Sequence, residues 1–290
     1  MLKKRVGAAL IVKDGLVVQS IGFKKYLPVG KPQIAIEFLN KWGIDEIIMV
    51  DISATRNKRC IDPVMVRQAS KDCYVPLTVG GGITTMQEVD ALMHSGADKI
   101  MLNHVLFTNP SFATEMARKY GDQCVVACMD VKRNQDGVLC LYDYVNDKIL
   151  AEDPIVWAKK LESLGAGEIL VHAVDHDGSK LGFDKDSCKL VCDSVNIPVI
   201  SLGGAGKPEH FMDVFENTEV SAACAGNYFH FGEHSVITTK AFLISKGMDI
   251  RLETHADYKN AGITEKNRLL KNDDELLEHL LYLKIEKEVI

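Results

Sequence analysis

Two glycine-rich runs, Gly80-Gly81-Gly82 and Gly203-Gly204-Ala205-Gly206, give the first hint of chemistry in this chain. Glycine lets the backbone come close to a ligand, so that its N–H groups can face phosphate oxygens. Asn103-His104 and Gly226-Asn227 end the next apolar run after each, which sets them beside the glycines. A tight turn is the plainer reading of either run alone, but two runs in equivalent places favour a pair of phosphate cradles. Asp130 closes the apolar run 124–130 and could serve as general acid or base if buried. A carboxylate bonded to loop amides is the competing reading. Asp51, Asp175, His176 and Asp177, with Gly178 following, end other such runs. Asp-His-Asp-Gly has metal-like composition but lacks a third ligand at a suitable spacing, so no metal is expected. His172 should face inward on its run, where a satisfied interior histidine is the simplest reading. At the opposite ends of the runs stand Arg5, Glu46, Lys99 and Glu168, whose charges sum to zero. Such a ring could be a stabilising set of salt bridges or a gate across an axial passage, and residue types alone do not choose.

The elements that must position these groups are eight short β-rich runs, at 5–12, 46–51, 75–79, 99–103, 124–130, 168–174, 197–202 and 221–225. Amphipathic helical patterns lie between most of them, as at 32–42, 86–95, 110–120 and 154–164. Eight strands each followed by a helix predict an α/β fold, a (β/α)8 TIM barrel, with function at the C-terminal strand ends. The halves repeat: 75–82 aligns with 197–204, 46–48 with 168–170 and 99–103 with 221–225, each at an offset of 122. Val12-Lys13 pairs with Val131-Lys132 at an offset of 119, which places Ile11 opposite Asp130. A twofold half-barrel repeat over residues 1–252 accounts for all of these. Residues 253–290 break the pattern and read as a C-terminal extension. A polar stretch at 253–272 precedes an acidic-capped helix whose Leu276, Leu280 and Leu283 share one face. Packing on its own barrel and docking on a partner both suit that stripe.

The remaining bounds come from composition. The 290 residues are 47% hydrophobic and 26% charged, which excludes a disordered or rod-like chain. With 34 basic and 40 acidic residues the net charge is −6, so no nucleic-acid partner is expected. No apolar run reaches the roughly eighteen residues that cross a bilayer, and no membrane role is expected. Eight cysteines without a CxxC pair read as buried thiols in a reducing cytoplasm. No cofactor is implied.

The ordered motifs Lys4-Arg5, Val12-Lys13-Asp14-Gly15, Val50-Asp51-Ile52-Ser53-Ala54, Gly96-Ala97-Asp98-Lys99, Asp130-x-Lys132-Arg133, Asp175-x-Asp177-Gly178 and Phe229-His230-Phe231, with both glycine loops, resemble the HisF family. HisF is the cyclase subunit of imidazole glycerol phosphate synthase, in histidine biosynthesis, and the likeness spans residues 1 to about 252. The resemblance implies a HisH-like glutaminase under the barrel, contacted by Asp98. Ammonia would pass the gate Arg5, Glu46, Lys99 and Glu168 to a bisphosphorylated ribulosyl-formimino nucleotide at the mouth. It implies phosphate ligands at Gly81, Gly82, Asn103, Asp177, Gly178, Gly203, Gly204, Gly226 and Asn227, and a catalytic role for Asp130.

The departures cluster at the mouth. Ile11 stands where the family has its other catalytic aspartate, and Gln19 where it has a lysine. His104 and Asn227 replace small hydroxyl residues, and His172 replaces a threonine. A hydrocarbon cannot move a proton, and general acid–base catalysis is worth about 10²–10⁴-fold. The chain is in this respect similar to HisF-like paralogues of surface-polysaccharide pathways. There ammonia is passed to a sugar amidotransferase that makes an acetamidino group. An active cyclase whose missing acid is replaced, and a scaffold that only activates the glutaminase, are the other two expectations.

Overall fold

The computed structural model describes residues 3–232 and 234–252, and the extension expected at 253–290 lies outside them. Eight parallel strands form the barrel: β1 (Arg5–Lys13), β2 (Glu46–Asp51), β3 (Leu77–Gly80), β4 (Lys99–Leu102), β5 (Val125–Arg133), β6 (Glu168–Ala173), β7 (Val199–Leu202) and β8 (Ala222–Ala225). Each pairs with the next, and β8 closes on β1. Their near-continuous apolar runs suit strands covered on both faces. Outer helices follow, such as α1 (Pro32–Lys41), α2 (Pro63–Ser70) and α3 (Met86–Met93). Local chemistry sets where these helices begin. Asp62 caps α2 ahead of a first-turn proline, and Thr85 and Glu88 form a capping box on α3.

The half-barrel repeat holds in the strand registers. Gly7↔Glu46 in the first half is matched by Val126↔Glu168 in the second, and Ile47↔Leu77 by Ile169↔Val199. Side chains alternate between two cores. The larger core lies between strands and helices, while Ala9, Ile48, Met101, Val126, Cys128, Leu170, Ile200, Leu202, Ala222 and Cys224 fill the barrel interior. That interior is therefore largely apolar between the bottom ring and the mouth, with the Thr78 hydroxyl among its buried polar groups.

Three features differ from the sequence expectations. A hairpin, Leu16–Ile21 with Lys25–Gly30, extends β1 over the mouth, and a second, Leu139–Asp143 with Lys148–Ile149, extends β5. Only Cys128, Cys188 and Cys224 are buried; the other five cysteines are partly exposed. Cys124 lies in a short 3-10 turn before β5 and not in the strand.

One buried ion pair ties the last described helix to the bottom of β1. Lys240, on the helix Ser235–Ser245, donates to Asp45 at 2.5 Å, and both side chains are fully buried. The other Asp45 oxygen accepts from the Val6 N–H at 2.8 Å. Removing one member of a buried pair leaves an uncompensated charge. Lys240→Met is therefore expected to destabilise the barrel by about 3–5 kcal/mol in urea unfolding. The double change Lys240→Met with Asp45→Asn should recover much of that loss.

Candidate functional site

The bottom ring forms as its spacing suggested. Arg5 donates to Glu46 at 2.9 Å and to Glu168 at 2.8 Å, and Lys99 donates to Glu168 at 2.5 Å. Arg5 is thus the bridge between the two carboxylates. Burial lifts the Glu46 carboxyl above its usual range, and Arg5 pulls against that lift. Burial likewise opposes the Arg5 charge, but Glu46 and Glu168 outweigh it and the guanidinium is held more firmly protonated. Asp98 stands beside the ring at the start of β4, exposed, with one oxygen accepting from the Leu77 N–H at 2.8 Å.

At the other end a cavity of about 360 Å³ opens at the strand C-termini. Ile11, Gly81, Gly82, Asn103, Asp130 and His172 line it. Lys24, Arg56, Lys132, Tyr142 and Tyr144 line it as well. Most of these come from the two hairpins and the loop after β2, where no periodicity marks them. Gly81 and Gly82 have φ of +120° and +67°. A Cβ on either would collide with the Asp51 or Arg59 backbone. The turn and the close approach thus both require glycine there. Asp51 stays out of the cavity chemistry: it accepts from Ser53 and from Arg59 at 2.7 Å and so holds the loop after β2.

Asp130 is buried and heavily engaged. Asn103 donates to one oxygen at 2.8 Å, and His172 Nδ1 stands 3.3 Å from the other. His172 Nε2 lies 3.9 Å from Asp177, and the Phe23 ring packs on the imidazole with centroids 4.9 Å apart. Burial opposes charge on His172, but the Asp130 and Asp177 carboxylates beside it prevail and its pKa is pushed up to about 9. Burial also penalises the Asp177 carboxylate, yet His172, Ser20 and the Phe23 N–H together hold it below the usual range. The expected inward histidine is therefore a charged one that bridges two carboxylates. Ile11 is nearly buried beside it and offers no polar atom.

This raised pKa has a measurable sign. Folding favours the protonated imidazole, so the stabilisation is complete below the unfolded value near 6.5. It is lost as pH rises through about 9. A shift of that size corresponds to about 3 kcal/mol. Unfolding free energy measured by urea from pH 6 to 10 is expected to fall across that window in the parent, and to fall less in His172→Gln.

The second cradle, at Gly178, Gly203, Gly204, Gly226 and Asn227, encloses only about 30 Å³. Gly203 and Gly204 adopt φ of +103° and +97°, and a Cβ on Gly204 would strike the Gly182 carbonyl. Asp175, His176 and Asp177 point in three directions. Asp175 accepts from the Arg133 N–H at 2.8 Å, and His176 Nδ1 meets the Gly182 carbonyl at 2.7 Å. Asp177 accepts from Ser20 Oγ at 2.7 Å.

A family model described as "Histidine biosynthesis protein" matches residues 5–235. A Pyrococcus furiosus protein named imidazole glycerol phosphate synthase subunit HisF is 44% identical over 253 residues, which cover 87% of this chain and all of that relative. The chain belongs to the HisF family. A Streptococcus sanguinis HisF subunit is 38% identical over 252 residues, again 87% of this chain and the whole of the relative. A Vibrio vulnificus protein with the provisional name imidazole glycerol phosphate synthase subunit hisF2 is 40% identical over 260 residues, 90% of this chain and 95% of its own length. Membership accounts for the barrel and its half-barrel repeat. The bottom of the barrel carries the four paired charges Arg5, Glu46, Lys99 and Glu168, and at the mouth Ile11 lines the same cavity as Asp130. Among the described residues no helix is long and apolar enough to cross a membrane.

Proposed function

We propose that this chain is the barrel subunit of a glutamine amidotransferase complex. It takes ammonia from a HisH-like glutaminase beneath the Arg5–Glu46–Lys99–Glu168 ring, with Asp98 contributing to that interface. It then conducts the ammonia along the apolar interior to an acceptor at the mouth. The acceptor belongs to a partner sugar amidotransferase, which turns an acetamido group into an acetamidino group. The single observation behind the reading is the asymmetry between the two ends of the barrel. The ring keeps three ion pairs, whereas the mouth has Ile11 in the position of an aspartate and an Asp130 held by Asn103 and His172. Neutral ammonia suits an apolar interior, because a passing ammonium would pay the full cost of desolvation.

A specific observation favours a second reading. His172 sits on Asp130 in the same cavity as Ile11 and is charged at neutral pH, so it can donate a proton. Such a donor would supply the missing acid of a working cyclase. The two readings part in whether the chain itself turns over the ribulosyl-formimino nucleotide, whereas the conduction they share is tested by isotope transfer. The chain is purified with a HisH-type glutaminase and given isotopically labelled glutamine with unlabelled ammonium outside. Conduction predicts labelled nitrogen in the acceptor product. Unlabelled product, or a glutaminase stimulated with all its ammonia free in solution, contradicts it.

A further inference from the structure

The two cradles are no longer equivalent, and their difference bears on what the mouth can hold. The first, at Gly81 and Gly82, opens on the large cavity, whose cationic lining is Lys24, Arg56 and Lys132. Three cations against the two carboxylates Asp130 and Asp147 leave that space favourable to an anion. The second has been filled by the chain's own first hairpin. Ser20 Oγ donates to Asp177 at 2.7 Å and the Phe23 N–H donates to the same oxygen at 3.2 Å. The Gly22 N–H donates to the Asp177 carbonyl at 3.0 Å. Asn227 closes the set in both directions: it accepts from the Ser20 N–H at 3.1 Å and donates to the Ser20 carbonyl at 2.6 Å. The hairpin backbone rests so closely on Gly178 that a Cβ there would touch Ser20 and Ile21.

What remains of the second cradle is a small cleft, walled on one side by Asn227, which bonds both backbone groups of Ser20 in that hairpin. Its charged lining is Asp177 and His172, which face each other, so no cation is left over for an anion. Glycine N–H groups remain in the loop, but the bonded hairpin and the charge balance are both against phosphate.

We infer that the mouth of this barrel takes a ligand with a single phosphate group, seated at the Gly81–Gly82 cradle, and that the second cradle serves as a latch for the first hairpin. The inference rests on the reading that the acceptor reaches the mouth, and it narrows the chemical class of that acceptor to a phosphate monoester. A bisphosphate would have to break the five latch hydrogen bonds. Each is worth about a factor of five in an equilibrium constant. Asn227 is the specificity-determining residue, since a shorter hydroxyl side chain could not bond both backbone groups of Ser20.

Calorimetric titration of the full chain tests this, with inorganic phosphate, a pentose monophosphate and a pentose bisphosphate as probes. The expected result is one phosphate per chain, with the bisphosphate within about threefold of the monophosphate. Lys132→Ala is expected to weaken both sugars by about tenfold through loss of a charge-assisted contact. The double variant Asn227→Ser with Ser20→Ala should tighten the bisphosphate by about tenfold and leave the monophosphate unchanged. Two phosphates per chain, or a parent that prefers the bisphosphate by tenfold, overturns the inference. So does a lack of any phosphate binding at millimolar concentration. If labelled nitrogen still reaches an acceptor in that last case, conduction stands and the ligand assignment alone fails. Single-phosphate binding without nitrogen transfer separates the two the other way.

Discussion

Replacing Arg5 with methionine is expected to cost the barrel about 3–5 kcal/mol of stability, the usual effect of stripping the cation from buried carboxylates. Arg5 is the one member of the ring that touches both Glu46 and Glu168, and the Glu46 side chain is only 3% exposed. Without the guanidinium the two carboxylates face each other across a closed apolar interior. Lys99 still reaches Glu168, so Glu46 bears most of the loss. Lys99→Met should therefore cost distinctly less, since Glu168 keeps Arg5. The pH dependence follows from charge. Unpaired carboxylates are relieved by protonation, so the gap between Arg5→Met and the parent should shrink as pH falls towards the carboxylate range. Urea unfolding at neutral and mildly acidic pH reads both effects. Equal stability of the variant and the parent at neutral pH would show that Arg5 does not compensate the two carboxylates. In the complex with a glutaminase, the same variant is expected to release a larger share of ammonia to solvent.

The second large effect is a gain. Ile11→Asp is expected to raise ammonia-dependent cyclisation of the ribulosyl-formimino nucleotide by about 10²-fold or more over the parent's background, the scale of one general acid–base group. The position suits it: Ile11 pairs with Val50 near the end of β1 and lines the same cavity as Asp130. A new carboxylate there would compete with Asp130 and Asp177 for His172 and would free Asp130 from part of its pairing. Asn227→Ser added to Ile11→Asp should lower KM further, because it opens the second cradle to the other phosphate. An Ile11→Asp variant that binds the nucleotide and stays silent would place the block elsewhere in the mouth, at His104 or His172.

Much of this was legible in the sequence, for identifiable reasons. The strand β2 is predicted at the residues where it occurs, because a run such as Ile47-Ile48-Met49-Val50 has no other home than a covered parallel strand. The offsets of 119 and 122 survive as strand registers because a repeat that builds two half-barrels must also repeat their pairing. The ring was visible because four charges at strand starts are conspicuous against apolar runs. The hairpin after β1 was not. Its second strand, Lys25–Gly30, is almost wholly exposed and contains a proline, so it shows no alternation. The latch was hidden for a different reason: Ser20 and Asn227 are ordinary polar residues 207 positions apart, and only the folded chain brings them together. His172 could be placed inward by alternation. Its charge depends on Asp130 and Asp177 together, and the first of these lies on a neighbouring strand.

In the proposed function the chain keeps the means to conduct ammonia while its own cyclisation site is lost. The most direct measurement is turnover of the ribulosyl-formimino nucleotide by the purified, unaltered chain with ammonium as nitrogen donor. No product above the uncatalysed background is expected. Sustained turnover by the parent would contradict that function and would make His172 the replacement for the absent aspartate, in a working cyclase.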